Sequence, residues 1–127
     1  MTPLFDHEKL EVYQEILVFI AWLEPLLQKL PKSATTRDQL ERASNSMALN
    51  LAEGNGKFTG PDRCRFFDIS RGSALECAAA LDVVVAQGRF AVEVAQGKER
   101  LRKIVSMLVG LIRANSNYRL HEGGEEE

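Results

Sequence analysis

The chain has little of what most enzyme active sites and metal sites are built from. It holds two histidines and two cysteines, one tryptophan and two tyrosines among 127 residues. His7 and His121 lie at opposite ends of the sequence, so no spacing of metal ligands forms around either. Cys64 and Cys77 are the two cysteines. On one helix, a rise of about 1.5 Å per residue sets them roughly 20 Å apart, where a disulfide tolerates a Cα separation of only about 7 Å. They are expected to be free thiols, small buried apolar residues rather than nucleophiles, in a reducing cytoplasm. No apolar run approaches the roughly 20 residues that span a bilayer, and "MTPLFDHEKLEVY" is acidic and interrupted, unlike a secretion signal. A membrane role is therefore not expected. Strong charge of one sign is missing too. The net charge is −2, and four of the 18 acidic residues sit in the tail "HEGGEEE". The remaining 14 stand against 16 basic residues, so the rest of the chain is about +2, without the marked basicity of an obvious nucleic-acid binder.

What is present is aliphatic: apolar residues are 45% of the chain, aromatics only 7%. That balance favours helix over strand. Apolar residues recur at helical spacing in four segments, giving expected helices over about 7–30, 36–54, 61–87 and 94–115. Short connections make neighbours antiparallel, and the expected fold is an all-α, up-down-up-down four-helix bundle. Residues 1–120 are expected to form its single domain and 121–127 a disordered acidic tail.

The first helix carries two stripes. Tyr13, Ile16, Leu17, Ile20, Leu23, Leu27 and Leu30 make one, and Val12, Phe19, Trp22 and Leu26 a second. A helix on the outside of a monomer needs only one stripe, so the second is a candidate subunit interface; the plainer alternative is that Phe19 and Trp22 close the core. Pro25 is expected to kink this helix and Pro31 to end it. Either Thr35 or Thr36 caps the second helix, with Gln39 at capping-box spacing from Thr36. Either Thr59 or Gly60 caps the third, with Pro61 in its first turn. Gly88 is placed to end the third helix in a left-handed conformation, and the cost of Gly110 in the fourth is expected to be offset by tight packing.

"NLAEGNGKFTG" (50–60) looks at first like a phosphate cradle. One residue separates its glycines, Phe58 follows the lysine, and a helix precedes it where a strand should. Spacing and context both fail for a nucleotide loop. The stretch is expected to be a helix-to-helix corner in which Gly54 or Gly56 takes a positive φ, Asn55 tolerates the same conformation, and Lys57 complements the helix dipole. Asn50 and Glu53 near the apolar stripe of the second helix, and Arg71 in that of the third, predict a buried Glu53–Arg71 pair. Asn50 or Ser70 would complete its hydrogen bonds.

The string "SNSMALNLAEGNGKFTGPDRCRFFDISRGSALECAAALDV" (44–83) resembles a bacterial family of four-helix bundle proteins encoded in intervening sequences of large-subunit ribosomal RNA genes. That family includes the accessory variability proteins of diversity-generating retroelements. Its Asn-x-Ala-Glu-Gly helix end is matched by Asn50, Ala52, Glu53 and Gly54, its Arg-Phe helix start by Arg65 and Phe66, and its Arg-Gly-Ser and Leu-Glu by Arg71, Gly72, Ser73, Leu75 and Glu76. "FDHEKLEVYQEIL" and "MLVGLIR" resemble its first and last helices, so the likeness covers about 5–114. The resemblance implies a ring-like homopentamer, and for the retroelement members binding of nucleic acid and a reverse transcriptase through basic surfaces. Candidate RNA or DNA contacts are Lys57, Arg63, Arg65, Arg100, Arg102, Lys103 and Arg113, with Arg119 further on; the plainer alternative is solvated faces paired with Asp62, Asp68 or Glu99. The expectation is a non-catalytic oligomeric scaffold for RNA or an RNA-handling protein, with a protein-interaction module lacking any nucleic-acid role as the alternative. No cofactor, metal or small-molecule substrate is expected.

Overall fold

A computed structural model describes residues 2–116. The acidic tail, Arg119 and His121 lie outside the described residues. A 3-10 turn, Asp6–Lys9, leads into four helices: α1 Glu11–Lys29, α2 Thr35–Asn55, α3 Gly60–Ala86 and α4 Ala91–Asn115. α1 and α3 each pack on both α2 and α4 and lie diagonally across the bundle from one another. The helix bounds differ from the sequence expectation by up to four residues, most at the starts of α1 and α4. The first segment is divided at Leu10, whose extended backbone separates the 3-10 turn from α1. α1 runs through Pro25 and ends at the extended Leu30, just before Pro31.

Ile16, Phe19, Leu23, Leu40, Met47, Leu51, Phe67, Leu81, Leu101, Ile104 and Leu108 are fully buried and supply the core from all four helices. The stripes of α2, α3 and α4 point where their spacing places them. α1 does not follow its two-stripe reading. Val12, Phe19 and Leu26 are buried inside the chain, and Trp22 lies over Gly97 of α4. A Cβ on Gly97 would come 2.3 Å from the indole ring, so only glycine leaves room for it. These four residues therefore pack within the protomer and do not form a free second face. The outward residues are Leu17, Val18, Ala21 and Pro25.

The corners show which local signals decide structure. Thr59 caps α3, its Oγ1 accepting from the Asp62 amide at 3.2 Å, with Pro61 in the first turn. Gly88 has φ +87°. Its amide donates to Val85 O at 2.8 Å and the Arg89 amide to Val84 O at 3.3 Å, the paired bonds of a Schellman ending. Neither Thr35 nor Thr36 caps α2; the extended residue before it is Ala34, and no side chain caps the start.

Gly54 and Gly56 do not take positive φ. Gly54 is inside α2, and Gly56 ends it with φ −85°. Gly54 is needed for closeness instead: a Cβ there would stand 2.8 Å from Phe66 Cβ and 3.0 Å from the Phe67 ring. At Gly110 the expected tight packing is absent, with nothing within 4 Å of an added Cβ. Opposite outcomes follow for the same substitution. Helix propensity favours alanine by roughly 1 kcal/mol at both sites. At Gly54 overpacking outweighs it, so Gly54→Ala lowers unfolding stability by on the order of 1–2 kcal/mol, while Gly110→Ala raises it by up to about 1 kcal/mol, both read by urea denaturation.

Candidate functional site: the corner of α2 and α3 and the basic surface

The corner is held by small residues that let α2 and α3 approach. Ser70 Oγ donates to Met47 O at 2.7 Å in the buried interior. Ser46 and Ser73 hydroxyls meet at 2.8 Å, and Asn50 Nδ2 donates to Ser46 O at 2.9 Å and to Ser46 Oγ at 3.0 Å. Asn50 and Ser70 thus belong to a polar seam, as their positions indicate, but Glu53 and Arg71 do not. Glu53 bonds Lys57 at 3.7 Å and Arg71 bonds Asp68 at 3.0 Å. Their side chains are 55% and 37% exposed. The physical reason is the narrowness of the seam. Serine-sized groups fill it, so the longer charged stems turn outward to water, where partners three or four residues along the chain are nearest.

Arg63, a candidate nucleic-acid contact, is bonded within the chain. Its Nη1 donates to Asn55 O at 2.7 Å and Lys57 O at 3.2 Å. Nη2 donates to Asn55 Oδ1 at 3.2 Å, and Nε to Asn115 Oδ1 of α4 at 2.8 Å. The guanidinium also lies 5.5 Å from the Phe67 ring centre. Its planar fork suits this work, tying the last carbonyls of α2 to the end of α4. Asn55 adds a bond from Nδ2 to Asp6 Oδ2 at 3.0 Å, joining the 3-10 turn to the same end. Gly60 sits against this clamp, since a Cβ there would fall 2.4 Å from Asn115 O.

The other candidate contacts divide by their partners. Lys57 and Arg65 lie 5.0 and 4.7 Å from the Phe66 ring centre, and each also has a carboxylate, Glu53 for Lys57 and Asp62 for Arg65 at 3.7 Å. Phe58 beside them is fully exposed. Arg102 forks onto Glu99, its Nε 3.1 Å from both carboxylate oxygens; that hydrogen bond holds the exposed Glu99 carboxyl below its usual range. Lys103 reaches Glu15 of α1 at 3.3 Å. Arg100 and Arg113 have no carboxylate partner among the described residues. Four further cations share that condition and were not singled out from sequence: Lys29, Lys32, Arg37 and Arg89. Lys29, Lys32 and Arg37 flank the α1–α2 connection, and the antiparallel fold brings the α3–α4 corner with Arg89 to the same end of the bundle.

The cysteines are both free. Cys64 Sγ donates to Ile112 O at 3.4 Å. Burial, helped by Glu76 nearby, pushes the Cys77 thiol up to about 12. Among the described residues, no three of His, Cys, Asp and Glu group as a metal would need, and no helix is long and apolar enough to cross a membrane.

The fold and corner define an antiparallel four-helix bundle whose tightest joint lies between its second and third helices. Residues 8–110 match the family described as 23S rRNA-intervening sequence protein, and the chain belongs to that family. It is also similar in fold to a crystal structure of a protein with unknown function from the S23 ribosomal protein family of Bacteroides thetaiotaomicron. The TM-score is 0.74 at 17% identity, over 80% of this chain and 98% of that one. No curated protein sequence matches the chain.

Removing the clamp tests its weight. Arg63→Gln leaves acceptors at the ends of α2 and α4 without their charged donor, and is expected to lower unfolding stability by about 2–3 kcal/mol in urea denaturation.

Proposed function

We propose that the protein is a non-catalytic scaffold that assembles as a closed ring of identical subunits and presents basic side chains to RNA or to an RNA-handling protein in the cytoplasm. One observation supports the ring above all. Apolar side chains remain exposed on two outer faces at opposite corners of the bundle. Leu17 and Val18 on α1 are each 45% exposed, and Ile69 and Val83 on α3 are 43% and 45% exposed. Gly72 lies between the last two, with open space above it. Two different sticky faces on opposite sides favour head-to-tail contact, which closes into a ring when the turn per subunit divides a circle. The face on α1 lies beside, and not on, the stripe of Val12, Phe19, Trp22 and Leu26.

Five is the subunit number implied by the family resemblance. RNA as the ligand is supported by the family's link to ribosomal RNA genes, and by repetition, since a ring multiplies a modest patch into a multivalent one. The same ring would serve a reverse transcriptase or another nucleic-acid enzyme as partner. The deep burial of Cys77, which pushes its thiol up, speaks against that residue as a nucleophile.

Light scattering tests the assembly. The wild type should show a mass near five times the 14.2 kDa subunit. Leu17→Glu and Ile69→Glu should each abolish the ring. Mixed in equal amounts, the two variants should form a dimer through the face each retains. Failure of the mixture to associate, together with self-dimers of either variant, would exclude head-to-tail contact.

A further inference from the structure

We propose that the end of the bundle made by the α1–α2 and α3–α4 corners takes the phosphodiester backbone of an RNA strand, with Lys29, Lys32, Arg37 and Arg89 as its contacts. The inference rests on the nucleic-acid reading above and assigns it a place other than the cations near Phe66 or on α4.

The fold brings these four cations together by contacts that can be followed. Lys29 Nζ lies 5.6 Å from the Phe90 ring centre, which joins the end of α1 to the α3–α4 corner. Phe90 is held in the left-handed conformation with φ 57°, unusual for a bulky side chain, and follows directly on Arg89. Arg37 Nη1 donates to Leu30 O at 3.3 Å, joining the start of α2 to the same end of α1. Lys32 lies in the short connection between them.

Charge separates this end from the remaining surface. Elsewhere cations are largely matched: Lys57, Arg65, Arg71, Lys98, Arg102 and Lys103 each have a carboxylate within 4.0 Å. None of the four here does, among the described residues. Nearby acids are few or occupied. Arg42 holds Asp38 at 3.2 Å, and Gln28 holds Glu24 at 2.6 Å. Glu93 lines the groove beside Phe90 and is the local opposing charge. The starts of α2 and α4 open at this end without side-chain caps; their partial positive charge has the same sign but does not carry the inference.

Unpaired cations gain more from phosphate than paired ones, because no existing ion pair must be broken. They also release counterions when they bind, so each phosphate they neutralise appears in the salt dependence. Lys32 and Arg89 stand in the connections beyond the helices, off the outer faces of α1 and α3, so a ring closed through those faces leaves them accessible, once per subunit.

The test is fluorescence anisotropy with a labelled single-stranded RNA of about 20 nucleotides, titrated over a salt series. The full chain is compared with Lys29→Gln/Lys32→Gln/Arg89→Gln and with Arg100→Gln/Arg113→Gln. Circular dichroism and light scattering check that each variant is folded and assembled. Arg37 is kept because it bonds Leu30. The triple variant should bind roughly tenfold more weakly at moderate salt, with a log–log salt slope shallower by about 0.7 for each phosphate no longer neutralised, while the α4 variant changes little. An unchanged slope in the triple variant with weaker binding by the α4 variant overturns this assignment and leaves the nucleic-acid reading standing. No binding by the wild type even at low salt overturns both. Binding to phosphatidylserine vesicles and not to RNA, abolished in the triple variant, assigns the end to a lipid surface and also overturns the proposal.

Discussion

α2 and α3 approach closely because the residues between them are small. Gly54 lies against Phe66 and Phe67, Ser46 meets Ser73, and Ser70 bonds the Met47 carbonyl. Packing of this kind favours dispersion contact and hydrogen bonds that need no long side chain, and it has no space for an ion pair. That restriction propagates outward. Because the seam excludes Glu53 and Arg71, both lie at the surface and are balanced locally by Lys57 and Asp68. The same corner carries Arg63, whose four hydrogen bonds secure the ends of α2 and α4, so the joint is tight in its middle and tied at its end.

α1 completes the bundle on other terms. Its middle is apolar all round, with Ile16, Phe19 and Leu23 inside and Leu17 and Val18 outside. Trp22 fits only because Gly97 yields space. A helix with this composition covers the core on one side and leaves apolar surface on the other. The outer face of α3 does likewise around Ile69 and Val83. Exposed aliphatic surface on opposite corners is a cost for a monomer and an asset for an assembly. The proposed ring follows from that pair of faces, and its free ends carry the unpaired cations.

Legibility from sequence followed the range of the interactions. The Gly88 ending and the Thr59 cap were readable because each is settled by a few neighbouring residues. The core faces of α2, α3 and α4 were readable from period alone. Period left α1 open, because its middle, 16–23, is apolar at every position; the structure takes the plainer alternative, in which Phe19 and Trp22 close the core. Glu53 and Arg71 were misread because spacing tells which side of a helix a residue occupies, not how near the opposite helix comes. Arg63 gave no signal of its role, since its acceptors in its own corner are backbone carbonyls and an amide, which carry no charge to mark a partner, and the remaining one, Asn115, comes from the far end of α4. Lys29, Lys32 and Arg37 are close in sequence and could have been grouped around the α1–α2 connection; only the addition of Arg89 needed the antiparallel fold.

The most direct measurement of the central claim is native-state amide hydrogen exchange. If the small-residue seam is the frame on which the remaining structure depends, the slowest amides lie in α2 and α3, around Met47, Leu51, Ser70 and Ala74, and exchange only through global unfolding. Finding the slowest exchange in α1, with the amides flanking Ser46 and Ser73 opening locally and fast, would contradict it.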